Sequence, residues 1–165
     1  MSSVQQELNI HAPAVECFSQ WVRFEEFPRF MKHVKSIRKT ENKQWRWVVD
    51  GPMGAPIEWE AVMEGRPEEQ IIAWHTIEPE ENKENEKKAI NTIANRGAVR
   101  FEALSPNLTH VTVTLQYDPP AGVVGETFGH IFSNPEHMVK DCLHSFKNLM
   151  EEIASSNQRS AKITG

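Results

Sequence analysis

Apolar positions recur along the chain with two distinct periods. Val4, Leu8 and Ile10 share one parity, which predicts a strand with a single buried face. Pro13 then opens a short helix, because a first-turn residue has no use for the N–H that proline lacks, and Ala14, Val15, Phe18, Trp21 and Val22 follow at helical spacing. A second short segment, Phe24 to Phe30, is interrupted by Pro28. Beyond it the period is mostly two. Trp45, Trp47 and Val49 alternate with polar neighbours, and Ile57, Trp59, Ala61 and Met63 alternate with Glu58, Glu60 and Glu64. Val99, Phe101 and Ala103 repeat the pattern, as do Val111, Val113, Leu115 and Tyr117. Such alternation is that of antiparallel strands with one face on a core. Gln70 to Ile77 is ambiguous, since Ile71 and Ala73 oppose Ile72 and Trp74; the preferred reading turns Ile72 and Trp74 inward.

The C-terminal pattern is helical. At roughly 100° per residue, Val139, Cys142, Leu143, Phe146, Leu149, Met150 and Ile153 fall on one face, while His137, Asp141, His144, Asn148 and Glu151 fall on the other. Pro135 sits in the first turn and Asn134 is the expected N-cap. A sheet of about six or seven strands with one apolar face, and one long helix to cover it, is an α+β arrangement. The expected organisation is a single domain over residues 1–155 and a flexible tail at 156–165. A charged stretch at about 78–90, five Glu and three Lys between Glu78 and Ala89, reads as a solvated loop.

Composition narrows the class without naming an activity. With 165 residues, 39% of them hydrophobic, the chain is one domain's worth and has enough apolar material for a core. No apolar run approaches the roughly 18–20 residues of a membrane-spanning helix, and Met1 to Glu7 has neither a basic nor an apolar leader segment, so a cytoplasmic location is expected. The net charge of -5 conceals a segregation: Arg29 to Arg46 holds seven bases and one acid, whereas Asp50 to Glu81 holds nine acids and one base. The basic block carries no nucleic-acid motif, and DNA is not expected as a partner.

Candidate chemistry is sparse. His137, Asp141 and His144, with His130 seven residues before His137, are spaced as a metal stripe would be, but they lie opposite the apolar arc centred on Phe146, so the stripe is read as a solvated face and no metal or cofactor is expected. Cys17 and Cys142 lack metal-ligand spacing and read as reduced core thiols. No nucleophile elbow or phosphate loop is present. Glu58, Glu60 and Glu64 share the polar face, which does not suit a buried acid/base pair. The informative set is aromatic: Trp47, Trp59, Phe101 and Tyr117 fall on the apolar parity of their strands, as Trp74 does in the preferred register. His75 or Thr76 could add a polar group, depending on that register.

In this order, strand, short helix pair, antiparallel sheet and long helix, the chain resembles the helix-grip fold of the Bet v 1-like (START-like, SRPBCC) superfamily. More narrowly it resembles bacterial polyketide cyclase/dehydrase-type proteins, which are similar to coenzyme Q-binding START-like proteins and to a ribosome-association toxin. The residues that carry the likeness are Phe27-Pro-Arg-Phe-Met-Lys-His-Val34, Trp45, Ile57-Glu-Trp59, Ile72-Ala-Trp74, Arg96-Gly-Ala-Val-Arg-Phe101, Thr109-His-Val-Thr-Val113, Tyr117-Asp-Pro-Pro-Ala-Gly122, and Asp141 with Leu143, Phe146 and Lys147. The charged stretch at 78–90 departs from the family and looks like an insertion.

The resemblance implies a curved antiparallel sheet wrapped around the long C-terminal helix, with a hydrophobic cavity between them. It implies that Phe128 and Phe132 border the entrance and that, with Trp47, Trp59, Trp74, Phe101 and Tyr117, they line a pocket for a lipid, isoprenoid or polycyclic aromatic ligand. The expected function is binding of such a molecule. The alternatives are an aromatic polyketide cyclase or dehydratase using the same cavity, and a ribosome or membrane interaction module acting through the basic 29–46 hairpin. No catalytic residue stands out.

Overall fold

The structure, a computed structural model, describes residues 2–50, 55–77, 94–117 and 134–164, with side chains as far as 157. Its first strand, β1 (Ser2–Ile10), is followed by helix α1 (Ala14–Trp21) and a 3₁₀ helix (Phe24–Arg29), the two short helices expected after the first strand. Six strands follow: β2 (Val34–Glu41), β3 (Gln44–Val49), β4 (Ile57–Arg66), β5 (Ile71–Thr76), β6 (Asn95–Ser105) and β7 (Leu108–Tyr117). The long helix α2 (Pro135–Thr164) closes the order. All pairings are antiparallel and form one seven-stranded sheet in the order β1-β7-β6-β5-β4-β3-β2. Strands β2 to β7 are thus a meander, and β1 adds to its far side beside β7.

The parity of the sequence is the parity of burial. On β4, Ile57, Trp59, Ala61 and Met63 are buried while Glu58, Glu60 and Glu64 face outward. On β7, Thr109, Val111, Val113 and Leu115 are buried. The ambiguous strand resolves as preferred, with Ile72 fully buried and His75 exposed. Residues expected as a tail, 156–164, instead continue α2. Nothing between Ser155 and Thr164 is a glycine or proline, so no residue there stops an established helix from adding turns. The start of α2 is capped as expected: Asn134 Oδ1 accepts the His137 N–H at 3.1 Å.

The core between sheet and α2 is aromatic. Phe146 of α2 is fully buried, with ring centroids 4.7 Å from Trp21 and 5.0 Å from Phe30. Trp21 also meets Phe27 and Phe101 edge-on at 6.0 and 5.9 Å. Each such offset pair adds about 0.5–1.5 kcal/mol beyond area burial.

A further clamp joins α2 to the end of β1. Glu151 Oε2 accepts the His11 backbone N–H at 2.9 Å, and Glu151 Oε1 accepts from Lys147 Nζ at 2.7 Å. Partial burial pushes this carboxyl up, but the His11 N–H and the Lys147 ammonium outweigh it and leave the pKa below the ordinary 4.5. A lowered folded-state value means a stabilising contribution that is complete above pH 4.5 and lost as pH falls through the folded pKa. Glu151→Gln is therefore expected to cost about 1 kcal/mol at neutral pH, and less as the pH approaches the acid limb. Urea titrations at neutral and acid pH check both.

Part of the charge segregation of the sequence cancels in space. Strand β3 is hydrogen-bonded to β4, so Arg46 lies opposite Glu60 with its Nη2 3.0 Å from Oε1, and Lys43 Nζ lies 3.5 Å from Glu64 Oε1. Lys35 Nζ is 3.7 Å from Asp50 Oδ1. Exposed Lys35, Arg38 and Lys39 lie on β2, an edge strand, where charge discourages pairing with a second chain. Because the Arg46–Glu60 pair is half-exposed, Arg46→Glu is expected to cost no more than about 1 kcal/mol in urea denaturation, with the loss shrinking in added salt.

Candidate functional site: a two-walled cavity

Strands β3 to β7 place inward side chains around a cavity of about 730 Å³, whose other side is α2 and the segment around the 3₁₀ helix. The sheet wall holds Trp47, Trp59, Met63, Ile72 and Trp74, with Val113 and Leu115 from β7. Trp47 and Trp59 are direct cross-strand partners, and their rings stack at 5.6 Å with 14° between planes. The two inward tryptophans thus pack ring on ring. The Trp47 indole N–H points at Met63 Sδ, 3.2 Å away, so its polar edge is turned toward a soft acceptor rather than water. The Trp74 indole N–H donates to Asn95 Oδ1 at 3.1 Å, and the Asn95 backbone N–H donates to Thr76 Oγ1 at 3.1 Å.

Trp47, Trp59 and Trp74 are therefore brought together on the cavity wall. Phe101 is not on it: the ring is buried against Phe18 and Trp21 of α1, where it fills core. Tyr117 is also off the wall; it ends β7 opposite Ser2 and Asn95, half-buried at the margin of the sheet. Parity says only that a side chain points to the apolar side; at Phe101 that side is covered by α1, and at Tyr117 the strand has run past the cavity. Phe128, Phe132 and His130 lie outside the described residues, as does the charged stretch at 78–90. Of the two polar candidates on β5, His75 faces outward, and Thr76 supports Asn95.

Several wall residues escaped the sequence reading. Trp21, Phe27 and Phe30 line the cavity from the helical segment, so four of the five tryptophans surround it. Asn95 supplies the amide on the sheet side; it directly precedes β6 residues of alternating character and could have been found as the first inward position of that strand. The largest difference concerns α2. His137, Asp141, His144 and Asn148, read as a solvated face, are exposed or half-exposed yet border the cavity together with Asn134 and Ser145. The apolar arc of α2 seats on the core at Phe146, and the cavity opens along the helix flank next to it. His137 Nε2 is 3.2 Å from Asp141 Oδ2. Among the described residues no group of three or more His, Cys, Asp or Glu could hold a metal ion.

Cys17 and Cys142 are both free and buried. Burial pushes each thiol up to about 12, with Thr109 partly opposing this at Cys17, so neither supplies a thiolate at neutral pH. Cys142, though on the cavity wall, is thus an apolar element there. Among the described residues no helix is long and apolar enough to cross a membrane.

Comparison with known proteins fits this geometry. A family model described as polyketide cyclase / dehydrase and lipid transport matches residues 10–143. A 17.2 kDa protein encoded in the melC2-rnhH intergenic region of Streptomyces lincolnensis is 26% identical over 152 residues, covering 92% of this chain and 91% of the other. A START superfamily protein from Mycobacterium smegmatis superposes with a TM-score of 0.68 at 15% identity, over 92% of this chain and 98% of that one. The Zhui aromatase/cyclase from Streptomyces sp. R1128 superposes with a TM-score of 0.60 at 15% identity, over 96% and 95%. The seven-stranded antiparallel sheet with its C-terminal helix is thus the START/Bet v 1 helix-grip fold.

Proposed function

The chain belongs to the polyketide cyclase / dehydrase and lipid transport family, and on that premise we propose that it binds a hydrophobic small molecule, a lipid, an isoprenoid or a polycyclic aromatic, between the sheet and α2. The observation that carries this reading is the cavity itself. At about 730 Å³ it is of the size that holds a drug-sized molecule, and its sheet wall is aromatic and aliphatic with a single amide, Asn95. Apolar contact area supplies about 25 cal/mol per Å² removed from water. The stacked Trp47 and Trp59 rings both line this apolar wall, where an aromatic or a chain can contact them.

Four tryptophans on the wall make the test direct. Titration with the neutral fluorophore N-phenyl-naphthylamine is expected to quench intrinsic fluorescence with transfer to the probe. Saturation at about a hundredfold excess over Kd should stabilise the fold by about 2.7 kcal/mol, seen as a raised Tm. Absence of both signals would overturn the reading. Extraction of freshly purified protein followed by mass spectrometry would identify a molecule carried from the cell.

A second reading, a cyclase or dehydratase acting in the same cavity, is favoured by one contact. The His137–Asp141 pair places an imidazole, held by a carboxylate, at the cavity edge, where it could exchange a proton with a carbonyl or hydroxyl of a bound chain. Under that reading His137→Gln loses turnover on an aromatic polyketide substrate far more than it loses binding.

A further inference from the structure

The two walls of the cavity differ in chemistry, and we infer that its ligand is an amphipath with an anionic head, a carboxylate or a phosphate, seated against the α2 flank and the Lys32–His33 connection. The inference rests on the binding function proposed above and names the class of molecule bound. The sheet wall carries no charged side chain among its described residues. Among the described residues the ionic side chains on the cavity are Asp141 on α2 and Lys32 between the 3₁₀ helix and β2, joined by the imidazoles of His137 and His144 on α2 and of His33 beside Lys32. On α2 the spacing 137, 141, 144, 148 runs a polar stripe along nearly three turns, with Ser145 beside it.

The Lys32 ammonium and the hydrogen-bond donors beside it decide the sign of the head. Asp141 is the one carboxylate among the described lining residues, and it is engaged 3.2 Å from His137 Nε2. Against it stand the Lys32 ammonium and the imidazoles of His33 and His144, each of which carries at least one N–H donor in either protonation state. Asp50 tempers His33 at 3.9 Å, but it also faces Lys35 at 3.7 Å, so its charge is shared. A carboxylate or phosphate head presents acceptors only, and it would meet donors here: the ammonium, the imidazole N–H groups, the Asn148 amide and the Ser145 hydroxyl. A cationic head would meet Lys32 and find only the engaged Asp141 in return. The apolar body then lies on the tryptophan wall with nothing charged to desolvate.

The test is displacement of N-phenyl-naphthylamine from the intact protein at neutral pH by four chains of equal length, all below their micelle concentrations. Dodecanoate and dodecyl phosphate are expected to displace the probe at about two- to fivefold lower concentration than dodecanol, and dodecylammonium no better than dodecanol, the range that exposed charge contacts support. The double variant Lys32→Gln/His144→Gln, checked for folding by circular dichroism, should bring the dodecanoate-to-dodecanol ratio close to one. A preference for dodecanoate over dodecyl phosphate, or the reverse, separates a free fatty acid from a phosphorylated lipid. Equal displacement by all four, preference for dodecylammonium, or a ratio untouched in the double variant overturns the anionic head while the cavity function stands. Failure of the neutral probe to bind the unaltered protein overturns the cavity function and the head with it.

Discussion

Phe146→Ala is expected to lower the free energy of unfolding by about 3–5 kcal/mol, the cost of truncating a fully buried phenylalanine. The size follows from position. Phe146 is the residue through which α2 meets the aromatic cluster, with Trp21 at 4.7 Å and Phe30 at 5.0 Å, and those two rings reach Phe27 and Phe101 in turn. Removing the ring leaves a void bordered by rigid groups that cannot close it, so the cavity penalty adds to the lost transfer energy. Since domains of this size are stable by only about 5–15 kcal/mol, the variant should be close to unfolding at physiological temperature. Phe146→Leu keeps most of the volume and should cost clearly less. Urea denaturation of the three proteins checks the order. A loss below about 1 kcal/mol for the alanine variant would mean that α2 is not seated on this cluster.

That expectation could be reached from the amino-acid sequence, because the arc Val139, Cys142, Leu143, Phe146, Met150 has the period of a helix and a core of this size has few places to put it. The strands were legible for the same reason: a period of two admits only two faces, and Glu58, Glu60 and Glu64 declare which one is wet. Even β5 was readable, since Trp74 and Ile72 outweigh Ala73 as burial candidates.

What resisted reading is where the core stops and the cavity begins. Phe101 and Trp59 have the same parity and the same burial, yet one packs on Phe18 while the other faces open space. The difference is made by α1, which lies over Phe101 and not over Trp59, and packing of one element on another leaves no periodic trace. The polar stripe of α2 failed differently. A helical wheel gives an angle from the apolar arc, and it does not say which flank borders an opening, so Asp141 and His137 read as solvent-facing while also edging the cavity. The paired bases failed for a third reason. Arg46 and Glu60 are far apart in charge blocks but adjacent in the sheet, and strand pairing had to be known before the blocks could be seen to neutralise each other.

Gly97→Ala is expected to damage both fold and site from a single added methyl. Gly97 stands between two neighbours on β6, opposite Trp74 on β5 and Leu115 on β7. A Cβ there would run into the Thr114 backbone carbonyl oxygen and into the Trp74 ring, whose Cη2 would lie 2.8 Å away. The carbonyl belongs to a strand paired on both sides and does not retreat, so β6 itself must shift at residue 97 and the ring must move as well, and with it the 3.1 Å bond to Asn95 Oδ1. Overpacking of this kind costs about 1–3 kcal/mol of stability. If the displaced indole costs a ligand a similar amount, affinity for the neutral probe falls about five- to a hundredfold. Gly65→Ala is the matched control, because its Cβ meets only the side chains of Val22 and Phe18, away from the cavity wall. It should lower stability while leaving probe affinity within about twofold, an offset too small to register as a lost contact. Should Gly97→Ala instead bind the probe as tightly as the unaltered protein, Trp74 would be packing for the β5–β6 pair alone, and the tryptophan wall for the ligand would reduce to Trp47 and Trp59.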